Sequence, residues 1–249
     1  MKDEAILRVD LETGTIARRS LPEAWRILGG RGLVARIALD EIPPLCDPLG
    51  AENRLLILNG PLAATPVPCS GRVSVGCKSP LTGGIKEANS GGVSGHLLAR
   101  LGLRAIILEN RPPADEWHLL FVGSERSELL PAGDLAGLGI YETASRLRER
   151  FGSRVGCLVI GPAGERGMSA ASVAGTDMEG RPSRFSARGG VGAVMGSKRL
   201  KAVVVEHTQD RAPLADSERF MNAVREMMTA IKETPQTAEV YPIYSTAAM

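Results

Sequence analysis

Four glycine clusters punctuate this chain and restrict what it can build: Gly29-Gly30-Arg31-Gly32, Ser70-Gly71-Arg72, Asn89-Ser90-Gly91-Gly92 and Arg188-Gly189-Gly190-Val191-Gly192. Glycine inside a helix or strand costs about 0.5–1 kcal/mol relative to alanine, so clusters of it mark places where the backbone turns sharply or lies against something bulky. Arginine stands in three of the four, and its planar fork of donors matches the oxygens of phosphate and carboxylate. Backbone N–H groups freed of side chains, beside guanidinium groups, make an anion-binding surface. One cluster alone reads equally well as a set of turns; the ordered series is what carries weight.

Between the clusters the apolar pattern belongs to a mixed fold. Ile6-Leu7-Arg8-Val9-Asp10-Leu11 alternates, Glu12-Thr13-Gly14 turns and Thr15-Ile16-Ala17 resumes, which predicts an N-terminal hairpin. Pro22 stands where a helix can start, and Trp25, Leu28, Leu33, Val34, Ile37 and Ala38 give a helical periodicity that the first glycine cluster interrupts. Leu55-Leu56-Ile57-Leu58 and Arg72-Val73-Ser74-Val75-Gly76-Cys77 read as buried strands. A helix over 93–101 precedes the strand Ala105-Ile106-Ile107-Leu108, and a helix flanked by strands points to a mixed sheet.

Further on, the pattern predicts strands over 117–122, 155–160 and 201–206, a helix over 141–151, and a glycine-rich segment over 189–196. The order of strands and turns before Asn110 is loosely similar to the order after it. Composition shifts over 208–213, where a domain boundary is expected. Beyond it, Phe220, Val224, Met227, Met228 and Ile231 predict an amphipathic helix capped by Asp216-Ser217.

Several function classes are disfavoured. Thirty basic and 28 acidic residues leave a net charge of +2 with no basic run, so no nucleic-acid partner is expected. No apolar stretch approaches the roughly 18 residues of a membrane-spanning helix, and the charged opening Met1-Lys2-Asp3-Glu4 is unlike a signal peptide. Cys46, Cys69, Cys77 and Cys157 form no C-x-x-C pair and read as reduced cysteines packed as small hydrophobes, so a cytoplasmic location is expected. His96, His118 and His207 are too scattered for a local zinc motif. Gly190-Val191-Gly192-Ala193-Val194-Met195-Gly196 has one residue too many for a dinucleotide fingerprint, and Gly196-Ser197-Lys198 does not end as a P-loop does.

It is the combination that is specific. Leu28-Gly29-Gly30-Arg31-Gly32-Leu33, Asn59-Gly60-Pro61-Leu62, Ser70-Gly71-Arg72, Lys78-Ser79-Pro80-Leu81-Thr82-Gly83, Ala88-Asn89-Ser90-Gly91-Gly92, Ile160-Gly161-Pro162-Ala163-Gly164-Glu165 and the run from Arg188 to Lys198 resemble, in order and spacing, the aldehyde ferredoxin oxidoreductase family. The resemblance implies an α+β fold: an N-terminal domain over 1–207, with two mixed β-sheets and flanking helices as a base for a tungsten or molybdenum bis-pyranopterin. Residues 208–249 would begin a helical second domain.

The resemblance further implies that Arg72, Asn89, Ser90, Gly91, Gly92, Arg184, Phe185, Arg188, Gly189 and Gly190 bind this cofactor. Asn89 and the backbone of Phe185 would hold a magnesium ion bridging the pterin phosphates, while Arg31 and Lys78 are weaker candidates. The segment 177–183 departs from the family pattern. No catalytic residue is identified. A four-iron four-sulfur cluster is expected outside this sequence, on a polypeptide carrying the middle and C-terminal domains, with ferredoxin as electron acceptor and an aldehyde as substrate. Pro242-Ile243-Tyr244-Ser245-Thr246-Ala247 resembles the family's Tyr-Gly-Thr segment at the start of the middle domain, and Met249 would then fall in mid-domain. The alternative is a non-catalytic pterin-binding or scaffold protein, or a truncated gene product inactive without a partner.

Overall fold

A strand buried at every position needs cover on both faces of its sheet, and β3 (Leu55–Asn59) is such a strand. The computed structural model describes residues 4–210 and 212–248 and supplies that cover. One six-stranded sheet contains β1 (Ala5–Asp10), β2 (Ile16–Ser20), β3, β4 (Val73–Lys78), β5 (Ile85–Ser90) and β6 (Leu103–Glu109), in the order β2-β1-β6-β3-β4-β5. A second contains β7 (His118–Val122), β8 (Ser127–Pro131), β9 (Gly156–Val159), β10 (Val173–Gly175), β11 (Arg184–Ser186) and β12 (Leu200–Val205), in the order β8-β7-β12-β9-β10-β11.

The two orders are the same order. In each half an N-terminal hairpin pairs antiparallel, its first strand runs parallel to the last strand, and the three middle strands follow antiparallel. The helices repeat too: α1 (Gly30–Glu41) matches α3 (Ile140–Phe151), and α2 (Ser94–Arg100) matches α5 (Val191–Ser197), while the short α4 (Pro162–Glu165) follows β9 in the second half. With the topology as a guide the sequence repeat becomes visible, Arg104-Ala105-Ile106-Ile107-Leu108-Glu109 against Lys201-Ala202-Val203-Val204-Val205-Glu206, and Gly91-Gly92-Val93 against Gly189-Gly190-Val191.

Packing follows the alternation of the strands. Leu7, Val9, Ile57, Ile106 and Leu108 face Leu120, Val122, Leu158, Val203 and Val205 in one core between the sheets, joined by Leu97, Leu98, Val191 and Val194 of α2 and α5. The opposite face of the first sheet, through Leu56, Leu58 and Ile107, is covered by Leu33, Val34 and Ile37 of α1. Leu147 of α3 serves the second sheet in the same way, against Leu119, Cys157, Val159 and Val204. Each fully buried Leu, Ile or Val contributes roughly 1.5–3 kcal/mol.

Each half also buries one cation at the same place. The parallel pairing of β1 with β6 skips Arg104, and that of β12 with β7 skips Lys201. A bulged residue is re-aimed out of the ladder. Arg104 donates to the Leu28 carbonyl at 3.3 Å and pairs with Glu4. Lys201 donates to the Leu138 carbonyl at 2.9 Å and pairs with Glu165. Both carbonyls lie just before the long covering helix, so the buried cation pins its entry.

Some sequence expectations need correction. The glycine-rich segment 189–196, for which no element was expected, is mostly helix: α5 fills it, buried on all sides, because Gly192 and Gly196 let its backbone lie against the carbonyls of Ser172 and Gly164. Gly30, Arg31 and Gly32 do not interrupt a helix; they are the first turn of α1, after a separate short turn over Glu23–Trp25. Strands β5, β8, β10 and β11 had no sequence expectation. Helix α6 (Ser217–Glu233) is capped as expected, Asp216 accepting from the Arg219 N–H at 2.9 Å, but of its apolar stripe only Val224 is buried. Met1 to Asp3, Arg211 and Met249 lie outside the described residues.

Candidate functional site

Edge strands β5 and β11 bring the two sheets side by side, and a cavity of about 950 Å³ opens there. From the first half it takes Arg72, Asn89, Ser90, Gly91 and Gly92; from the second, Arg184 and Phe185. Seven of the ten residues expected to touch a cofactor thus meet in one place. Arg188, Gly189 and Gly190 do not line it. The Gly189 carbonyl accepts from the Ser79 hydroxyl at 2.7 Å, and a Cβ on Gly190 would run into the Ser169 carbonyl, so this pair of glycines serves packing before α5. Lys78 also lies elsewhere, donating to the carbonyls of Pro44 and Cys46 at 2.6 and 2.7 Å. Arg31 points to Glu87 at 3.6 Å.

Arg72 precedes the first residue of β4, and its Nε donates to Asn89 Oδ1 across the strand pair. The Asn89 amide in turn donates to Ser74 Oγ at 3.1 Å, and Ser74 Oγ donates to Glu87 at 2.6 Å. This chain fixes the Arg72 fork. It also occupies the Asn89 side-chain oxygen, while Arg72 Nη2 reaches the Asn89 backbone carbonyl at 3.4 Å.

The position equivalent to Asn89 in the second half is Phe185. Val73 pairs with Ser90 and Val173 with Ser186, so Asn89 and Phe185 each sit one residue before the matched serine. Arg184 follows a loop organised by Asp177, which accepts from the backbone N–H groups of Glu179 and Arg181 at 3.0 and 2.9 Å and from the Ser183 hydroxyl at 2.8 Å. Burial pushes the Asp177 carboxyl up, but the Ser183 and Arg181 hydrogen bonds and the Arg181 charge outweigh it and hold it at about 2.

Gly92 has φ +102°, and a Cβ there would meet the Thr176 carbonyl at 2.5 Å, so only glycine fits. At Gly91 a Cβ would meet nothing within 4 Å. The open space beside Gly91 is room for a ligand against bare backbone.

The sequence did not single out the rest of the wall. His96, Arg100, Arg154, Asp177 and His207 all line this cavity. They are far apart in the chain and share no spacing, so only the tertiary fold assembles them. Four guanidiniums face two carboxylates, Asp177 and Glu179, and Asp177 is already paired with Arg181. The side chains of Arg154 and Arg184 are exposed and carry no hydrogen bond or ion pair among the described residues. Arg100 spends Nη1 on the Thr208 carbonyl at 3.2 Å and leaves Nε buried without a partner. An unpaired buried donor is costly, and uncommitted guanidiniums around one cavity fit an oxyanion.

The cysteines play no visible part in this site. Cys46, Cys77 and Cys157 are buried, Cys69 is exposed, and all are free thiols. Burial pushes the thiols of Cys77 and Cys157 up to about 12, which leaves them unreactive at neutral pH. Among the described residues no group of three His, Cys, Asp or Glu side chains is placed to hold a metal ion, and no helix is long and apolar enough to cross a membrane.

Comparison with known proteins agrees with this architecture. Residues 6–207 match the family described as aldehyde ferredoxin oxidoreductase, N-terminal domain. A tungsten-containing aldehyde ferredoxin oxidoreductase of Pyrococcus furiosus is 40% identical over 246 residues, covering 98% of this chain and 39% of that protein. An aliphatic sulfonate oxidoreductase, WOR-like subunit, of the same organism is 28% identical over 262 residues, covering 96% of this chain and 40% of its own. Among solved structures, the active site complex BamBC of benzoyl coenzyme A reductase, in complex with 1,5 dienoyl-CoA, superimposes with a TM-score of 0.88 at 32% identity. The match covers 98% of this chain and 37% of that one. The chain thus spans well under half the length of the proteins it matches.

Proposed function

The chain belongs to the aldehyde ferredoxin oxidoreductase family, as its N-terminal domain, and on that premise we propose that it is the base that holds the phosphate side of a tungsten or molybdenum bis-pyranopterin. Four relatives carry tungsten in their names. The observation that carries the reading is the meeting of Arg72 and Asn89 from one half with Arg184 and Phe185 from the other in a single guanidinium-rich cavity. A duplicated fold presents two equivalent edges to one ligand, which suits a cofactor made of two like pterins.

Within this reading Arg72 and Arg184 donate to phosphate oxygens, and Gly91 and Gly92 keep side chains out of the ligand's space. The backbone carbonyls of Asn89 and Phe185 would hold a magnesium ion beside the phosphates, hard ligands for a hard cation. When bound, the cofactor supplies two-electron redox chemistry and oxygen transfer to an aldehyde, giving a carboxylic acid. This chain contributes orientation and charge neutralisation. An iron-sulfur cluster, ferredoxin as acceptor and the substrate pocket belong to the part of the relatives' length that this chain does not span. Relatives named for aldehydes, a sulfonate and a coenzyme A thioester share this domain, so substrate choice is made elsewhere.

The test is elemental and pterin analysis of the purified assembled enzyme. Arg72→Ala and Asn89→Ala each lower the tungsten or molybdenum and the pterin that co-purify; unchanged loading in both variants overturns the assignment.

A further inference from the structure

We propose that His96 is a positioning residue for this oxyanion site: as a neutral imidazole it fastens segment 60–71 against α2 and so holds Arg72 at the cavity. The proposal rests on the reading of the cavity as a phosphate site. The fastening itself is direct. The backbone N–H of Ala64 donates to His96 Nδ1 at 3.0 Å. A nitrogen that accepts from an N–H carries no proton, so the neutral ring bears its hydrogen on Nε2.

The same ring covers Gly71, where any Cβ would collide with it, and a Cβ on Gly95 would collide with the carbonyls of Gly71 and Arg72. The backbone that delivers Arg72 therefore lies directly on the first turn of α2. Segment 60–71 has turns of its own, the Ala63 and Thr65 N–H groups donating to the Gly60 and Leu62 carbonyls at 3.0 and 3.3 Å, but two of its residues are strained. Ala64 and Cys69 both sit in the left-handed region, at φ 62° and 59°, where a non-glycine residue is strained. Strain of this kind persists only where surrounding contacts enforce it, and the His96 bond to Ala64 is such a contact.

Protonation removes the contact. A charged ring presents an N–H at Nδ1 towards the Ala64 N–H, donor against donor. Burial, and then the charge of Arg100 on the same helix, push the His96 pKa below the ordinary histidine value and keep the ring neutral near pH 7. Arg72 lines the same cavity from the β4 side, and Arg154, Arg184 and His207 from the other walls. Asp177 and Glu179 are the opposing carboxylates.

The sign of the effect separates this idea from plain electrostatics. An anion site that only gains charge binds more tightly as pH falls. A site held by neutral His96 binds less tightly. Because the folded pKa is depressed, the fastened state is complete above the unfolded histidine value of about 6.5 and is lost as pH falls through the folded value.

Sulfate is the probe, since it stays a dianion across the range. The 249-residue chain carrying His207→Gln, which removes the cavity's other imidazole, is titrated at pH 7.5 and 5.5 by calorimetry. Amide exchange of segment 62–71 is followed in parallel as protection factors. With His96 intact, affinity falls about tenfold, the scale of losing one charge-assisted hydrogen bond, and protection of the segment falls with it. His96→Asn, which keeps an acceptor at the Nδ1 position and does not titrate, retains both at pH 5.5. His96→Ala loses protection at both pH values. Sulfate affinity that holds or rises at pH 5.5 with His96 intact overturns the proposal. Failure to bind sulfate at pH 7.5 overturns the oxyanion site and this role with it, whereas sulfate binding by a segment indifferent to His96→Ala overturns the role alone.

Discussion

The hydroxyls of Ser90 and Ser186 meet at 3.0 Å, both buried, at equivalent positions on the two edge strands that join the duplicated halves. Each pairs with the first valine of the neighbouring strand in its own sheet. The bond therefore lies where the two halves mirror one another, directly beneath Asn89 and Phe185 in sequence. Either Ser→Ala change leaves the other hydroxyl buried without a partner, at a cost of about 1–3 kcal/mol. The double variant removes both groups together and is less destabilised than the sum of the singles. Urea denaturation of the four proteins in the cycle measures this; strict additivity would show that the two serines are independent.

Gly91 and Gly92 are adjacent and separate binding from folding. Gly92→Ala forces a Cβ onto the Thr176 carbonyl at a positive φ and costs stability, on the order of 1–3 kcal/mol. Gly91→Ala meets nothing in the protein, so the melting temperature stays within a degree or two of wild type while cofactor loading of the assembled enzyme falls. Thermal denaturation beside metal analysis checks both. A Gly91→Ala enzyme with full metal content would mean that the space beside Gly91 is not ligand space.

The sequence made the core legible and the site only in part, for physical reasons. β3, β6, β9 and β12 are sandwiched between layers, so each carries a continuous apolar stretch, and β4, though it alternates Val, Ser and Gly, is buried at every position. Val173–Gly175 and Arg184–Ser186 are three residues each, too short for any period to show, yet they carry the edge on which Phe185 and Ser186 stand. Ile85–Ser90 is an edge strand with mixed exposure, and its Lys, Glu and Asn read as a loop. Arg72 and Asn89 were found through the resemblance. His96, Arg100, Arg154 and His207 were not, since the fold rather than any spacing brings them together.

Electron transfer sets a further expectation. The iron-sulfur cluster proposed for the part of the relatives' length beyond this chain would need cysteine thiolates at set spacing, and this sequence has no C-x-x-C pair. The thiols of Cys77 and Cys157 stand at about 12 and are sealed in the core. The 249-residue polypeptide purified alone is therefore expected to give no aldehyde oxidation with a viologen acceptor, even after incubation with cofactor. Turnover by that polypeptide would overturn the assignment of the electron path to the remainder of the enzyme.

Lys198 ties the two halves together at their junction and sets a pH dependence of stability. Its ammonium is fully buried and donates to the carbonyls of Asn53 at 2.7 Å and Asn110 at 3.0 Å, the latter on the connection between β6 and β7. Burial, and then the charges of Arg54 and Arg111, lower its pKa to about 7. In the unfolded chain the value is about 10.4, so above pH 7 the unfolded state binds the extra proton and stability rises with pH. Cys77 and Cys157, held at about 12, act in the opposite direction once pH passes the ordinary thiol value of about 8.5. The clean window is therefore pH 7 to 8.5, where Lys198 adds at most about 2 kcal/mol. Lys198→Met is less stable throughout, because two buried carbonyls lose their donor, and it lacks this rise. Urea denaturation across the window gives wild-type and variant slopes; parallel slopes would show that Lys198 keeps its proton in the folded core.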